Sequence, residues 1–260
     1  MKFDAETWYL ERGNWGGLDS ILIAPRGPVP SILVVLCHGF GAPGTDLVSL
    51  AEEIVPMLPE GDSKPAFLFP AGPMDLEESH GMSHSRAWWL INMAKLAELS
   101  AVDNLDALRD EIPPGIDEAR KALEDCVDAC VSDKQWSAAK IVLGGFSQGA
   151  MLSVDTALRS TRISPVGLIV WSGALICESV WKQAFHTRPR SFGVFQSHGR
   201  QDMILPVSTG RALHEFLKGL SLPVDHMEFY GPHTIASESL DGAARLLATA
   251  LADQTRYPLG

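Results

Sequence analysis

The sequence is poor in several things, and each shortage excludes a class of function. No apolar run approaches the roughly 20 residues that a membrane-spanning helix needs; the longest near the start, Ile32 to Cys37, is far too short. Met1 to Glu6 lack the basic-then-apolar build of an export signal. No stable membrane insertion is therefore expected, and the location expected is cytoplasmic. Basic side chains are scarce: 21 Lys and Arg against 32 Asp and Glu leave a net charge of −11. Phosphate backbones are held by clustered Lys and Arg, so no nucleic acid is expected as a partner. There are only 4 cysteines. Cys37, Cys126, Cys130 and Cys177 form no C-x-x-C pair and lie in apolar stretches, which points to buried thiols. Cys126 and Cys130 are four apart on an expected helix, but no further His or Cys completes a metal site. No low-complexity segment or composition break divides the chain, so residues 1–260 are read as one domain, with 1–30 as an N-terminal hairpin extension. Hydrophobic residues at 46% and charged residues at 20% suit a globular protein.

What the sequence does contain is concentrated at Ile141 to Ala150. A β-branched apolar run enters Gly145-Phe146-Ser147-Gln148-Gly149, a G-x-S-x-G pattern, and leaves as helix-compatible sequence. Strand, sharp turn and helix in that order expose a serine hydroxyl on strained backbone, with glycines on either side to permit close approach. Ser147 is the candidate nucleophile.

Two strands are expected at Thr7–Leu10 and Ser20–Ala24, joined across Gly13 to Gly17. Ile32–Cys37, Ala66–Pro70, Val166–Trp171 and Phe192–Gln196 read as strands covered on both faces, because their apolar character does not alternate. Val224–Tyr230 alternates, as a half-exposed edge strand does. Helices are expected from Thr45 or Asp46 to Leu58, over 85–91, over 102–112, and from Ile116 to Val131. Three more are expected at Gln148–Arg159, Pro206–Leu217 and Ile235–Ala252. Between Ala71 and Ser83 a loop follows the carboxyl end of a strand, the side where ligands sit in open α/β sheets. The alternation of strands and helices predicts an α/β fold, a mostly parallel sheet with helices on both faces, opened by an antiparallel hairpin.

A serine alcohol needs an imidazole to take its proton and a carboxylate to orient that imidazole. Asp202 and His233 both follow strands, and the order Ser, Asp, His is the one such a sheet uses. Asp225 and Asp241 also flank His233, but the first opens a strand at its amino end and the second falls within a helix. The oxyanion would be met by the backbone N–H of Gln148 and by one from the turn at His38 to Phe40, with Phe40 the choice. His38 is read as a structural histidine supporting that turn, and His80 with His84 as a solvated pair. Trp171 and Trp181 are read as packing residues, with the pocket rim as an alternative for Trp181. Trp88 and Trp89 are core anchors or walls of an apolar pocket.

The ordered set LCHGFGA at Leu36 to Ala42, FPAGP at Phe69 to Pro73, GMSHSRAWW at Gly81 to Trp89, GGFSQGAM at Gly144 to Met151, SHGRQDMILP at Ser197 to Pro206 and the His233 turn resembles the phospholipase/carboxylesterase family of α/β-hydrolases, acyl-protein thioesterases included. The resemblance implies a triad of Ser147, Asp202 and His233, oxyanion donors at Phe40 and Gln148, and an apolar acyl site near Met82, Trp88 and Trp89. It implies cleavage of a small-molecule acyl ester or thioester through an acyl-serine intermediate, with no cofactor and no metal. An acyltransferase on the same triad and a non-catalytic ligand-binding protein of the same fold are the alternatives. Pro232 stands where a glycine usually precedes the histidine. The hairpin and the helical sequence around 94–112 are additions to the compact pattern that leave room for a homodimer.

Overall fold

Apolar runs without polar alternation can be buried only between two layers, and that is where this chain puts them. The structure, a computed structural model, describes residues 4–61, 64–77, 81–92, 109–137 and 139–252. Strands β1 (Trp8–Trp15), β2 (Leu18–Pro25), β3 (Ile32–Cys37), β4 (Ala66–Pro70), β7 (Lys140–Phe146), β8 (Gly167–Trp171), β9 (Gly193–Gly199) and β10 (Val224–Phe229) form one sheet in the order β1-β2-β4-β3-β7-β8-β9-β10. Every pairing from β4 to β10 is parallel, while β2 runs antiparallel to both β1 and β4. A two-stranded ribbon, β5 (Met74–Asp75) with β6 (Arg86–Ala87), stands apart.

Successive side chains of each strand face opposite layers. Leu33, Val35, Leu143 and Leu168 pack under helices α2 (Ile116–Asp133), α3 (Gln148–Arg159), α4 (Glu178–Thr187) and α5 (Val207–Gly219). Val34, Leu36, Phe67 and Ile169 pack under α1 (Val48–Ile54) and α6 (Ser237–Ala252). Trp171 and Trp181 are fully buried packing residues. The four cysteines are buried and free. Burial raises their thiol pKa values, to about 11 at Cys126 and about 12 at Cys130 and Cys177.

Several elements differ from expectation, each for a tertiary or local reason. The hairpin turns on Gly16 and Gly17 alone, both at positive φ (58° and 89°); such a two-residue turn matches the strand twist, so both strands run longer than their apolar cores. Through β2 this hairpin is continuous with the central sheet. Residues 85–91 are not a helix. Their backbone groups are claimed by other parts of the chain: Arg86 exchanges hydrogen bonds with Gly41 and Ala42, and Trp88 and Trp89 are held by the Gln148 side chain. The first helix starts later than Thr45, is capped at Leu47 without a side-chain bond, and ends in a 3-10 turn at Val55–Met57 where Pro56 cannot donate. Helix α4 was not anticipated, although Trp181 and Phe185, its buried residues, are spaced as on one helical face. Residues 102–108 of the expected helix over 102–112 lie outside the described residues, and 109–112 form a turn and irregular chain. His80 also lies outside them, and His84 is exposed.

Candidate active site

Ser147 follows β7 directly, with φ 54° and ψ −117°. Such a backbone costs about 1–3 kcal/mol and survives only where its surroundings enforce it. Here the N–H of Ser147 donates to the Trp171 carbonyl across the sheet, and its own carbonyl accepts from Ala150 and Met151 to start α3. The flanking glycines are required sterically. A Cβ at Gly149 would lie 2.1 Å from the Cys37 carbonyl oxygen, and one at Gly145 would lie 2.5 Å from the same atom. The nucleophile turn is thus pressed against the end of β3.

That end of β3 leads into the turn at His38 to Phe40. A Cβ at Gly39 would sit 3.4 Å from the Ser147 Cβ, so this turn lies directly beside the serine. His38 is buried, and burial pushes its pKa down to about 4, keeping the ring neutral. Its Nε2 accepts from the Gly72 N–H at 2.8 Å, which leaves the proton on Nδ1 for the Gly39 carbonyl at 2.7 Å. A structural histidine is what the sequence led one to expect there. Among the described residues, neither the N–H of Phe40 nor that of Gln148 has an acceptor. The second of these is also the first N–H of α3, where the helix dipole favours negative charge.

Asp202 and His233 come from the loops after β9 and β10 and meet at 2.6 Å, His233 Nδ1 donating to Asp202 Oδ2. The loop after β9 shapes itself around the carboxylate, whose Oδ1 accepts from Ile204 N at 2.9 Å and Leu205 N at 2.8 Å. The His233 turn is pinned to the same loop, because Gln201 N donates to the Gly231 carbonyl and Gly199 leaves no space for a Cβ against the Pro232 carbonyl. Burial opposes ionisation of Asp202, yet hydrogen bonds from His198 and His233, the nearby His233 charge and the Leu205 N–H together hold its pKa well below the usual carboxylate range. An ionised carboxylate only accepts, so His233 Nδ1 carries a proton, and the neutral form of the ring then has its lone pair on Nε2. The imidazole packs on Phe146, the residue before Ser147, with ring centroids 4.7 Å apart. The Ser147 hydroxyl makes no hydrogen bond within the described residues, and catalytic contacts of this kind often tighten only with substrate bound. Asp225 is taken by Arg245 at 3.1 Å on the opposite edge, and Asp241 sits in α6.

The expected acyl-site residues separate. Trp89 lines an apolar cavity of about 110 Å³ with Met151, Ala174, Ile176, Leu205 and Pro114. Trp88 does not line it; its indole is buried and donates to the His38 carbonyl at 3.0 Å, because a buried indole N–H needs an acceptor. Met82 lies on the other side, partly exposed over Gly41, where an added Cβ would be 3.0 Å from its Cε. A larger hollow, of about 1000 Å³, lies elsewhere, at the amino ends of β8 to β10 between Phe192, Val224 and Arg245, with neither Ser147 nor His233 in its lining.

Sequence reasoning assigned no role to His198. It is fully buried, its Nε2 2.7 Å from the Leu205 carbonyl and 3.2 Å from Asp202 Oδ2. Nor did it foresee a role for the Gln148 side chain, and a lone polar residue in the first turn of a helix gives no signal of one.

Relatives agree with this architecture. The chain is 23% identical over 222 residues to acyl-protein thioesterase 1 homolog 1 of Dictyostelium discoideum, covering 85% of this chain and 91% of that one. It is 28% identical over 206 residues to acyl-protein thioesterase 1 of Kluyveromyces lactis, covering 77% and 82%. Among solved structures, esterase PE8 superposes with a TM-score of 0.71 at 22% identity, over 90% of this chain and 99% of that one. Acyl-protein thioesterase 2 of Zea mays follows the same fold at a TM-score of 0.57 and 18% identity, over 89% and 98%. With a model of the phospholipase/carboxylesterase family matching residues 19–251, from β2 into the end of α6, the chain belongs to that family of hydrolases.

Proposed function

We propose that this protein hydrolyses carboxylic esters or thioesters through an acyl-Ser147 intermediate. The observation that carries the proposal is the 2.6 Å bond from His233 to a buried, ionised Asp202, with the imidazole packed on the residue next to a strained Ser147. In acylation the Ser147 Oγ bonds to the substrate carbonyl carbon and its proton passes to His233 Nε2. The carbonyl electron pair moves to oxygen and is met by the N–H groups of Phe40 and Gln148. Collapse of this intermediate breaks the bond to the alcohol or thiol, which leaves with the proton from His233. Water, giving its proton to the same imidazole, then attacks the acyl-serine; the acyl–Oγ bond breaks, Ser147 Oγ takes the proton back from His233, and the acid is released. The apolar cavity beside Met151 and Leu205 is suited to the acyl chain, because both residues lie a few positions beyond catalytic ones.

The test is labelling with a fluorophosphonate, which phosphonylates an activated serine. Wild type is expected to label and Ser147→Ala not to; equal labelling of both refutes Ser147 as nucleophile. Hydrolysis of matched nitrophenyl esters and acyl thioesters then assigns the leaving group.

A further inference from the structure

The two oxyanion donors belong to different parts of the chain, and their spacing must be held by something. Phe40 sits on an irregular turn after β3, Gln148 on the first residue of α3. The Gln148 side chain is fully buried and reaches into the strip after β6, accepting from Trp88 N at 3.0 Å and donating to the Trp89 carbonyl at 2.8 Å. An amide placed this way imitates one residue of a neighbouring strand. The same strip grips the other donor's turn at three points. Trp88 Nε1 donates to the His38 carbonyl at 3.0 Å, Gly41 N to the Arg86 carbonyl at 2.9 Å, and Arg86 N to the Ala42 carbonyl at 2.9 Å. An unbroken chain of hydrogen bonds therefore runs from the residue supplying one donor to the turn supplying the other.

We propose, on the basis of the serine-hydrolase function above, that the Gln148 side chain and the Trp88 indole are positioning residues whose hydrogen bonds set the separation of the Phe40 and Gln148 N–H groups. Position 148 then acts twice, its backbone donating to the oxyanion and its amide fixing where the second donor stands. The consequence falls on the transition state. Ground-state binding of the acyl chain uses apolar walls that this chain of bonds meets only at the Trp89 backbone carbonyl, whereas a displacement of about 1 Å in a catalytic group can cost about 10²-fold.

Two variants break the chain at different links. Trp88→Phe keeps a buried ring but removes the N–H given to His38 together with part of the ring volume, so its fold is checked by circular dichroism before assay. Gln148→Met keeps the side-chain length and the backbone donor but bonds to neither Trp88 nor Trp89. Each is assayed for kcat and KM with a nitrophenyl ester and for the inhibition constant of a trifluoromethyl ketone, whose serine adduct carries a full oxyanion. The expected result is a fall in kcat of about 10- to 100-fold with KM little changed, a matching rise in the ketone's inhibition constant, and a double variant no worse than the poorer single one. Unchanged kcat, a loss appearing in KM alone, or a loss of kcat with undiminished ketone affinity overturns the proposal. If Gln148→Met does not fold, Trp88→Phe decides by itself. Fluorophosphonate labelling of wild-type Ser147 is run alongside, so that failure of the positioning role is distinguished from failure of the hydrolase function.

Discussion

Replacing Asp202 by Asn is the sharpest perturbation of the proposed chemistry, because it preserves shape and reverses one hydrogen-bond polarity. The carboxylate meets four N–H groups: Ile204 and Leu205 at Oδ1, and His233 at 2.6 Å and His198 at 3.2 Å on Oδ2. An asparagine can satisfy the two backbone donors only by pointing its oxygen at them, which turns its NH₂ toward both imidazoles. His233 must then accept at Nδ1 and carry its proton on Nε2, where it cannot take one from Ser147. Loss of the correct tautomer costs about 10⁴-fold in kcat, or about 5 kcal/mol of transition-state stabilisation. The assay is nitrophenyl-ester hydrolysis on protein shown by circular dichroism to be folded. A variant within tenfold of wild type would refute the assignment of Asp202. The same substitution carries a stability signature with a definite sign. Because the folded state lowers the Asp202 pKa, its charge stabilises the fold above the unfolded carboxyl value of about 3.9, and that contribution fades as pH falls through the lower folded value. The gap in urea stability between wild type and variant should therefore be widest near neutral pH and narrow below about pH 4. A gap independent of pH would refute the electrostatic account.

Gly149→Ala forces a methyl to within 2.1 Å of the Cys37 carbonyl oxygen, a backbone atom that cannot rotate away; urea unfolding should register a loss of about 3 kcal/mol or more. Trp181→Phe removes the indole N–H that donates to the buried Asp155 carboxylate at 2.7 Å, and should cost about 1–3 kcal/mol of stability while leaving ester turnover unchanged. Ala174→Leu fills part of the cavity of about 110 Å³. Kinetics on an ester series should then show kcat/KM for longer acyl chains falling by about tenfold against acetyl, whereas an unchanged chain-length profile would remove this cavity from the substrate site.

Most of the fold was legible because its signals are local. Six unalternating apolar residues at Ile32–Cys37 have only one comfortable environment, between two layers of helices, and the structure puts them there. The helix at Gln148–Arg159 was bounded correctly, since its start is fixed by the serine turn and its small residues pack on the sheet. Asp202 and His233 could be picked from several acids and histidines because each comes just after a strand, and parallel strands deliver the loops at their carboxyl ends to one edge. The misreadings have a common origin. Over 85–91 the composition suits a helix, but the backbone there is bonded to residues near 41 and to Gln148, more than forty positions away in either direction. Trp88 and Trp89 look alike as neighbours, yet one donates to the His38 carbonyl and the other lines the cavity.

The sequence by itself determined the sheet, the order of its strands' chemistry and the three side chains proposed to react, because periodicity, turn chemistry and chain order are properties of the polymer. Only the tertiary structure decided how those groups are held: which tryptophan faces the cavity, that His198 stands behind Asp202, and that the Gln148 amide bonds to the backbone of Trp88 and Trp89. Such contacts join residues remote in the chain, and a hydrogen bond between distant groups leaves no local pattern in the residues that make it.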